Sequence, residues 1–307
     1  MRLIKPYFEI WNQPSSLEGV YKQIERVGRV CYKSEDKITE DSAKLFVDRM
    51  IKSGHGGVLE HGTIYLLKPM EYKGVYVPGI EWKKYVMNPY TRTNLCSIND
   101  QNTIAITTNY RVLVENNWLD DLKYICEPTE FHEKRITVHF VCDRGVSHEF
   151  VRHRVMSFAQ ESTRYCNYSK DKFGKELTFI IPPFCGAVEG SYISGYDVVS
   201  PNMQRPYGKG TRGGYFYESL RRAEESYIEL TTHIGDPNID LRMKPQEARA
   251  VLPNALKTEL IVTGFVSDWN HFFDLRARGT TGAPHPQAKE LAEPLMKEFI
   301  ARKYINN

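Results

Sequence analysis

The order of apolar patterns along these 307 residues predicts a mixed α+β fold. Three observations carry that prediction. Alternating stretches and 3.6-period stripes are interspersed without a regular strand–helix–strand rhythm. No Gly-x-Gly-x-x-Gly turn joins a strand to a helix, which disfavours a doubly wound nucleotide-binding sheet. No segment recurs at a fixed period, which sets aside solenoids and propellers. At 307 residues the chain can bury a substantial core, and it is expected to form a single domain over 1–307.

Taken in order, Ser42 to Ser53 places Ala43, Phe46, Val47, Met50 and Ile51 on one stripe, which predicts an amphipathic helix. Thr39, Asp41 or Ser42 can cap its start, and Gly54 stands where a left-handed residue ends a helix. Val58 to Leu67 reads as a strand carrying His61 and Thr63. Ile136 to Cys142 alternates and reads as a second strand, running into a turn at Asp143-Arg144-Gly145. Ser147 can then cap a short helix holding Glu149, Phe150, Val151 and a basic triplet. Leu177 to Ile181 is a further strand, ended by Pro182-Pro183. Residues 183 to 214 are rich in Gly, Ser, Tyr, Pro and Asn without periodicity, and read as a loop insertion. Helices are expected over Tyr215 to Ile234, from Pro245 to about Pro253, and over Ser267 to Ala277. Asp268 in the first turn of the third and Arg276 towards its end complement the helix dipole. A last helix follows Pro286 and runs to about Tyr304.

Lys and Arg number 41 against 38 Asp and Glu, so a net charge of +3 implies no nucleic-acid partner by itself. No run approaches the ~18 to 20 apolar residues of a membrane span, and Met1 to Tyr7 lacks the apolar region of a signal peptide. Six cysteines (Cys31, Cys96, Cys126, Cys142, Cys166, Cys185) are scattered with no Cys-x-x-Cys pair. That argues against a zinc site or disulfide framework and fits reduced thiols in a cytoplasmic enzyme.

The densest chemistry lies in residues 152 to 165. Arg152, His153 and Arg154 are followed by Ser157, Gln160, Glu161, Ser162, Thr163, Arg164 and Tyr165. Guanidinium forks among hydroxyls and amides suit the oxygens of a phosphorylated small molecule; the plain alternative is a solvated basic turn.

Arg152-His153-Arg154, then seven residues, then Ser162 with Arg164-Tyr165, resembles the signature of the flavin-dependent thymidylate synthases. Four other segments are similar to that family in the same order. They are Leu59-Glu60-His61, Arg144 to Glu149, Ala248-Arg249-Ala250-Val251-Leu252-Pro253, and Phe272-Phe273-Asp274-Leu275-Arg276. The resemblance covers roughly residues 40 to 300. The chain departs from the pattern at Ala159-Gln160, where many members have Asn-Glu, and at Phe265 and His271, where Asn is common. Segments 183 to 214 and Arg278 to Gln287 are longer than in compact members.

The resemblance implies a mainly antiparallel sheet packed with helices, and reductive methylation of deoxyuridylate (dUMP) to thymidylate. It implies 5,10-methylenetetrahydrofolate as carbon donor, FAD reduced by NADPH as hydride source, no cysteine nucleophile, and a homotetramer with sites at subunit interfaces. Arg276 is the implied catalytic cation; a helix-end arginine serving the dipole is the alternative. The implied dUMP residues are Glu149, Arg152, Gln160, Glu161, Ser162, Thr163, Arg164, Arg249 and Arg276. The implied FAD residues are His61, Thr63, Arg152, His153, Arg154, Gln160, Phe265, Val266, Ser267 and His271. His61 reads equally as a buried structural histidine, and Glu149 as a helix-surface carboxylate. Two other classes compete: a nucleic-acid-binding module using the triplet on phosphates, and a flavin-binding protein without catalysis. A near-balanced charge disfavours the first, and Arg164, Arg249 and Arg276 together disfavour the second. A hydroxymethyl product in place of a methyl one is not separated by these residues.

Overall fold

The computed structural model describes residues 1–72, 75–76, 82–98, 101–170, 172, 176–192, 210–232 and 242–306. Its centre is a four-stranded antiparallel sheet. In spatial order the strands are β2 (Tyr7–Trp11), β8 (Arg135–Asp143), β12 (Lys257–Phe265) and β9 (Ser157–Gln160). In the register Phe265 lies opposite Arg135, Lys257 opposite Asp143, and Leu260 opposite Gln160.

The period of two along β8 and β12 sorts their side chains onto two faces. One face sends Val138, Phe140, Leu260 and Val262 against α9 (Val266–Phe273) and α10 (Pro286–Ala301), where Trp269, Phe272, Phe273 and Phe299 complete an aromatic core. The other face lies under α1 (Leu17–Tyr32), whose Val27 and Val30 meet Ile261, Ala159 and Trp11. That second face also carries Glu259, His139, Thr137 and Thr263, all buried. β8 is thus buried along its whole length, and its two faces differ in polarity rather than in exposure.

A second antiparallel sheet, β3 (Thr63–Pro69), β7 (Gln101–Asn109) and β6 (Arg92–Ile98), packs against α1 and α2 (Ser42–Lys52). Val20, Ile24, Phe46, Leu59, Ile64 and Ile106 fill the space between. Short helices α3 (Gly56–Leu59), α4 (Lys83–Val86) and α5 (Tyr110–Glu115) border it, beside a two-residue ladder of β4 (Glu71–Tyr72) and β5 (Val75–Tyr76). A third sheet pairs β1 (Arg2–Ile4) parallel to β10 (Thr178–Ile180) and antiparallel to β11 (Gly190–Ser191). It packs on α7 (Arg212–Thr232) and near α8 (Pro245–Ala248) through Leu3, Phe179, Leu220 and Tyr227. Among the described residues the β1–β10 ladder is the parallel exception in an otherwise antiparallel set, as a mixed, mainly antiparallel α+β fold requires.

Several expectations are corrected. The strand expected from Val58 begins at Thr63, because Gly56–Leu59 closes a helical turn that buries Leu59, and His61 falls in the bend after it. The turn expected at Asp143 to Gly145 is no separate element. Asp143 ends β8, its carboxylate accepts from the Val146 N–H at 2.7 Å, and α6 (Arg144–Phe150) starts at once. Ser147 is therefore inside that helix, donating to the Arg144 carbonyl, and is not its cap. The basic triplet lies beyond the helix end. Asp41 makes no cap bond to α2; Ser42 Oγ accepts from the Thr39 N–H, while Gly54 takes the expected left-handed φ of 71°. α7 begins at Arg212, within the expected 183–214 loop, whose residues 193–209 lie outside the described set, as do 233 and 234. Arg249–Val251 forms a 3-10 turn after α8, and α10 ends at Ala301 rather than Tyr304.

Candidate active site

The signature begins where α6 ends. Phe150 anchors the helix in the core at 4.9 Å from Phe272, so Glu149 beside it faces partly outward. The chain then turns, leaving Arg152 and Arg154 exposed and His153 buried against Phe272 and His271 at 5.0 and 5.8 Å. Arg276 arrives from the other side. α9 widens at its end into a π turn over Asp274–Arg278, stopped by Gly279 at φ 73°. A π turn inserts one residue into the helical turn and re-aims the side chains beyond it. Here it directs Arg276 onto Glu149, with Nη1 donating to Oε2 and Nη2 to the main-chain carbonyl, both at 2.7 Å. The Nε–H donates to His153 Nε2 at 3.3 Å.

Burial pulls His153 down to about 4, with Arg276 and His271 adding to the shift. The ring is neutral at pH 7, so its Nε2 lone pair can receive the arginine and the proton sits on Nδ1. Burial also lowers Arg276, against the pull of Glu149, and the guanidinium remains charged.

A second group forms at the turn after β9. Ser162 Oγ accepts from the Arg164 N–H at 3.2 Å, and Thr163 Oγ1 accepts from Arg249 at 3.1 Å. Arg164 donates to Gln246 Oε1 at 3.1 Å and lies over Tyr165, whose ring meets Tyr32. Gln160 donates to Ser147 and Thr258 hydroxyls, linking this turn to α6. Glu161 does not face outward with its neighbours: it is buried and held by Lys257 Nζ at 2.8 Å and Tyr168 Oη at 3.0 Å.

A third group lies at the far end of β12. His61 is fully buried, its Nδ1 2.8 Å from Thr263 Oγ1, which in turn meets Thr137. Burial and then Arg135 push its ring down to about 3. Arg135 donates to Thr63 Oγ1, Ser157 Oγ and the Glu60 carbonyl. It has no carboxylate within ion-pair distance among the described residues, and burial brings it down to about 10. Phe265 lies near both Arg135 and Arg92, Val266 N–H donates to the Lys134 carbonyl, and Ser267 N–H donates to Glu133.

The implied residues therefore fall into three groups: Glu149, His153, His271 and Arg276 with Arg152 and Arg154; Ser162, Thr163, Arg164 and Arg249; and His61, Thr63 and Phe265 to Ser267. Among the described residues no hydrogen bond, ion pair or ring contact joins the first group to the second. Sequence reasoning missed Arg135, Lys257 and Lys33. Arg135 opens the strand it did find, but nothing marks an isolated arginine as buried. All six thiols are free, and burial pushes Cys31 and Cys166 up to about 12.

A family model described as thymidylate synthase complementing protein matches residues 94–302. A flavin-dependent thymidylate synthase of Corynebacterium aurimucosum is 32% identical over 156 residues, covering 50% of this chain and 53% of that protein. One of Corynebacterium efficiens is 34% identical over 137 residues, covering 44% and 46%. The chain spans about half the length of the curated relatives it matches. A crystal structure of a UMP/dUMP methylase PolB from Streptomyces cacaoi bound with 5-Br dUMP aligns over 98% of this chain and 93% of that one, at 17% identity and TM-score 0.39.

Proposed function

The chain belongs to the thymidylate synthase complementing protein family, and from that premise we propose that it is a flavin-dependent thymidylate synthase. It methylates dUMP reductively, taking the carbon from 5,10-methylenetetrahydrofolate and the hydride from FAD that NADPH has reduced. The observation that carries this reading is the Arg276 guanidinium, largely buried and fixed by three hydrogen bonds at the mouth of the signature.

The residues fit a flavin dinucleotide. Such a cofactor needs donors for its phosphates and an apolar wall for its ring. Arg152 and Arg154 are exposed and make no hydrogen bond or ion pair among the described residues, so their forks are open to phosphate oxygens. Phe265 is buried beside Thr63, with the guanidinium groups of Arg92 and Arg135 over its ring, so it backs that end of β12 and presents no free face to the flavin. When bound, the flavin supplies the hydride that completes the methyl group.

The rest is done by this chain's own side chains. Carbon 5 of uracil is a poor nucleophile. A cation at the N3–C4 edge stabilises negative charge on the ring and raises electron density at that carbon; Arg276 fills this role. Arg164 and Arg249, with Ser162 and Thr163, grip the phosphate and pyrimidine. A protein thiolate is not required, and Cys166, with a thiol raised to about 12, is a poor source of one at neutral pH. No hydrogen bond, ion pair or ring contact joins the two arginine groups among the described residues of one chain, and the reading includes a homotetramer in which neighbouring subunits complete each site.

The test is tritium release from carbon-5-labelled dUMP by yellow, flavin-containing protein. Release that needs both NADPH and the folate, with a methylated product by mass, is expected. No release under those conditions overturns the assignment, and a hydroxymethylated product redirects it.

A further inference from the structure

Beneath the turn that carries Ser162 to Arg164 lies a chain of buried charges that no part of the proposed reaction uses. Glu161, 3% exposed, accepts from Tyr168 Oη and from Lys257 Nζ. Lys257 Nζ also reaches Glu259 Oε1 at 2.5 Å, and Lys33 Nζ binds that same oxygen at 2.5 Å. The other Glu259 oxygen lies 2.9 Å from His139 Nε2. Glu35 and Glu9 flank the ends, at Lys33 and His139. Two cations thus alternate with two buried carboxylates, and their charges cancel.

We propose that this ladder is a clamp that positions the nucleotide-gripping turn, and that Glu161 and Lys257 are positioning residues rather than substrate ligands. The inference rests on the dUMP reading above. Its geometric basis is that the ladder joins three separate pieces of chain at the base of the turn. Lys33 is the left-handed C-cap of α1, at φ 49°. Lys257 and Glu259 start β12. Glu161 directly follows β9, and its N–H donates to the Glu259 carbonyl at 2.8 Å, while the Ser162 N–H donates to the Cys31 carbonyl at 3.0 Å. The Cys166 N–H closes the turn on the Ser162 carbonyl at 3.1 Å. The side chains that face the ligand are therefore hung from backbone fixed on both flanks. Burial opposes ionisation of Glu259, yet His139, Lys257 and Lys33 hold it well below the usual carboxylate range. Removing one member leaves an uncompensated buried charge next to the turn, and such a charge is strongly destabilising to its surroundings.

The clamp predicts a particular signature. Glu161→Gln and Lys257→Met, as flavin-loaded full-length proteins, should each raise the Kd for dUMP about tenfold or more by titration. KM for dUMP should rise in parallel, turnover at saturating dUMP should fall less, and flavin content should hold. Tyr168→Phe, which removes the hydroxyl bound to Glu161 and no charge, should shift Kd a few-fold in the same direction and keeps the test open if a charge variant fails to fold. A Lys257→Arg protein should recover most of the affinity. Wild-type affinity for dUMP in folded Glu161→Gln or Tyr168→Phe overturns the clamp, as does a loss confined to turnover at unchanged Kd. If wild-type protein itself binds no dUMP, the functional reading fails first and the clamp with it.

Discussion

At Arg276 three donors are satisfied by Glu149 and His153, so the planar fork and not merely the positive charge is what the site holds in place. Arg276→Lys keeps the charge but loses the fork. It should retain flavin and lose roughly ten- to a hundredfold in turnover, the worth of one or two charge-assisted bonds; tritium release measures it, and wild-type turnover would refute the role. His153 adds a pH dependence. Its folded value of about 4 lies below the ordinary 6.5, so between those values the unfolded chain binds a proton that the folded chain refuses. Stability is therefore full above about pH 6.5 and falls as pH drops towards 4. His61, at about 3 for the same reason, acts in the same direction. Urea midpoints from pH 7.5 to 4.5 should fall, and less steeply in His153→Asn; parallel slopes for the two proteins would exclude His153 as a source. The signature was legible because arginines and hydroxyls crowd a dozen residues. Arg135 was not, since its role comes from burial against Thr63 and Ser157, far away in sequence.

Among the elements, α6 depends most on one residue. Asp143 accepts from the Val146 N–H and receives Gln287 from the start of α10, so it ties the site helix to the core helices. Asp143→Ala should cost about 0.5–2 kcal/mol as a lost cap, read from urea unfolding, and should lower turnover through Glu149. An unchanged midpoint would show that the cap contributes nothing. The elements found in sequence were those with an unmixed period: α2 with its apolar stripe, β8, and the C-terminal helices. β12, the strand between β8 and β9, was not found. Its Lys257, Glu259 and Thr263 read as polar, because the face they occupy buries polar groups instead of exposing them. Of the second sheet only β3 was anticipated; β6 and β7 mix Thr, Asn, Ser and Gln with their apolar residues, so neither shows a clean alternation.

For the whole molecule, the absence of any contact between Arg276 and Arg164 or Arg249 among the described residues has a direct test. If sites are completed across subunits, two impaired proteins, Arg276→Lys and Arg249→Ala, should gain activity above either alone when unfolded together and refolded as mixed oligomers. Random mixing restores about a quarter of the sites in a symmetric assembly that shares each site between two subunits. No recovery in demonstrated hybrids would put both arginines to work within a single subunit.

β12 sets the scale of all this. Glu259 sits under the turn carrying Ser162 to Arg164 and Phe265 beside Arg135, six residues on, or about 20 Å along an extended strand. A mononucleotide is too short to reach both ends, whereas an outstretched dinucleotide is comparable in length. The strand thus behaves as a measuring rod whose graduations are single residues. Adding one to it would shift every graduation beyond and turn each of those side chains to the opposite face, so length here is as constrained as chemistry is in the signature.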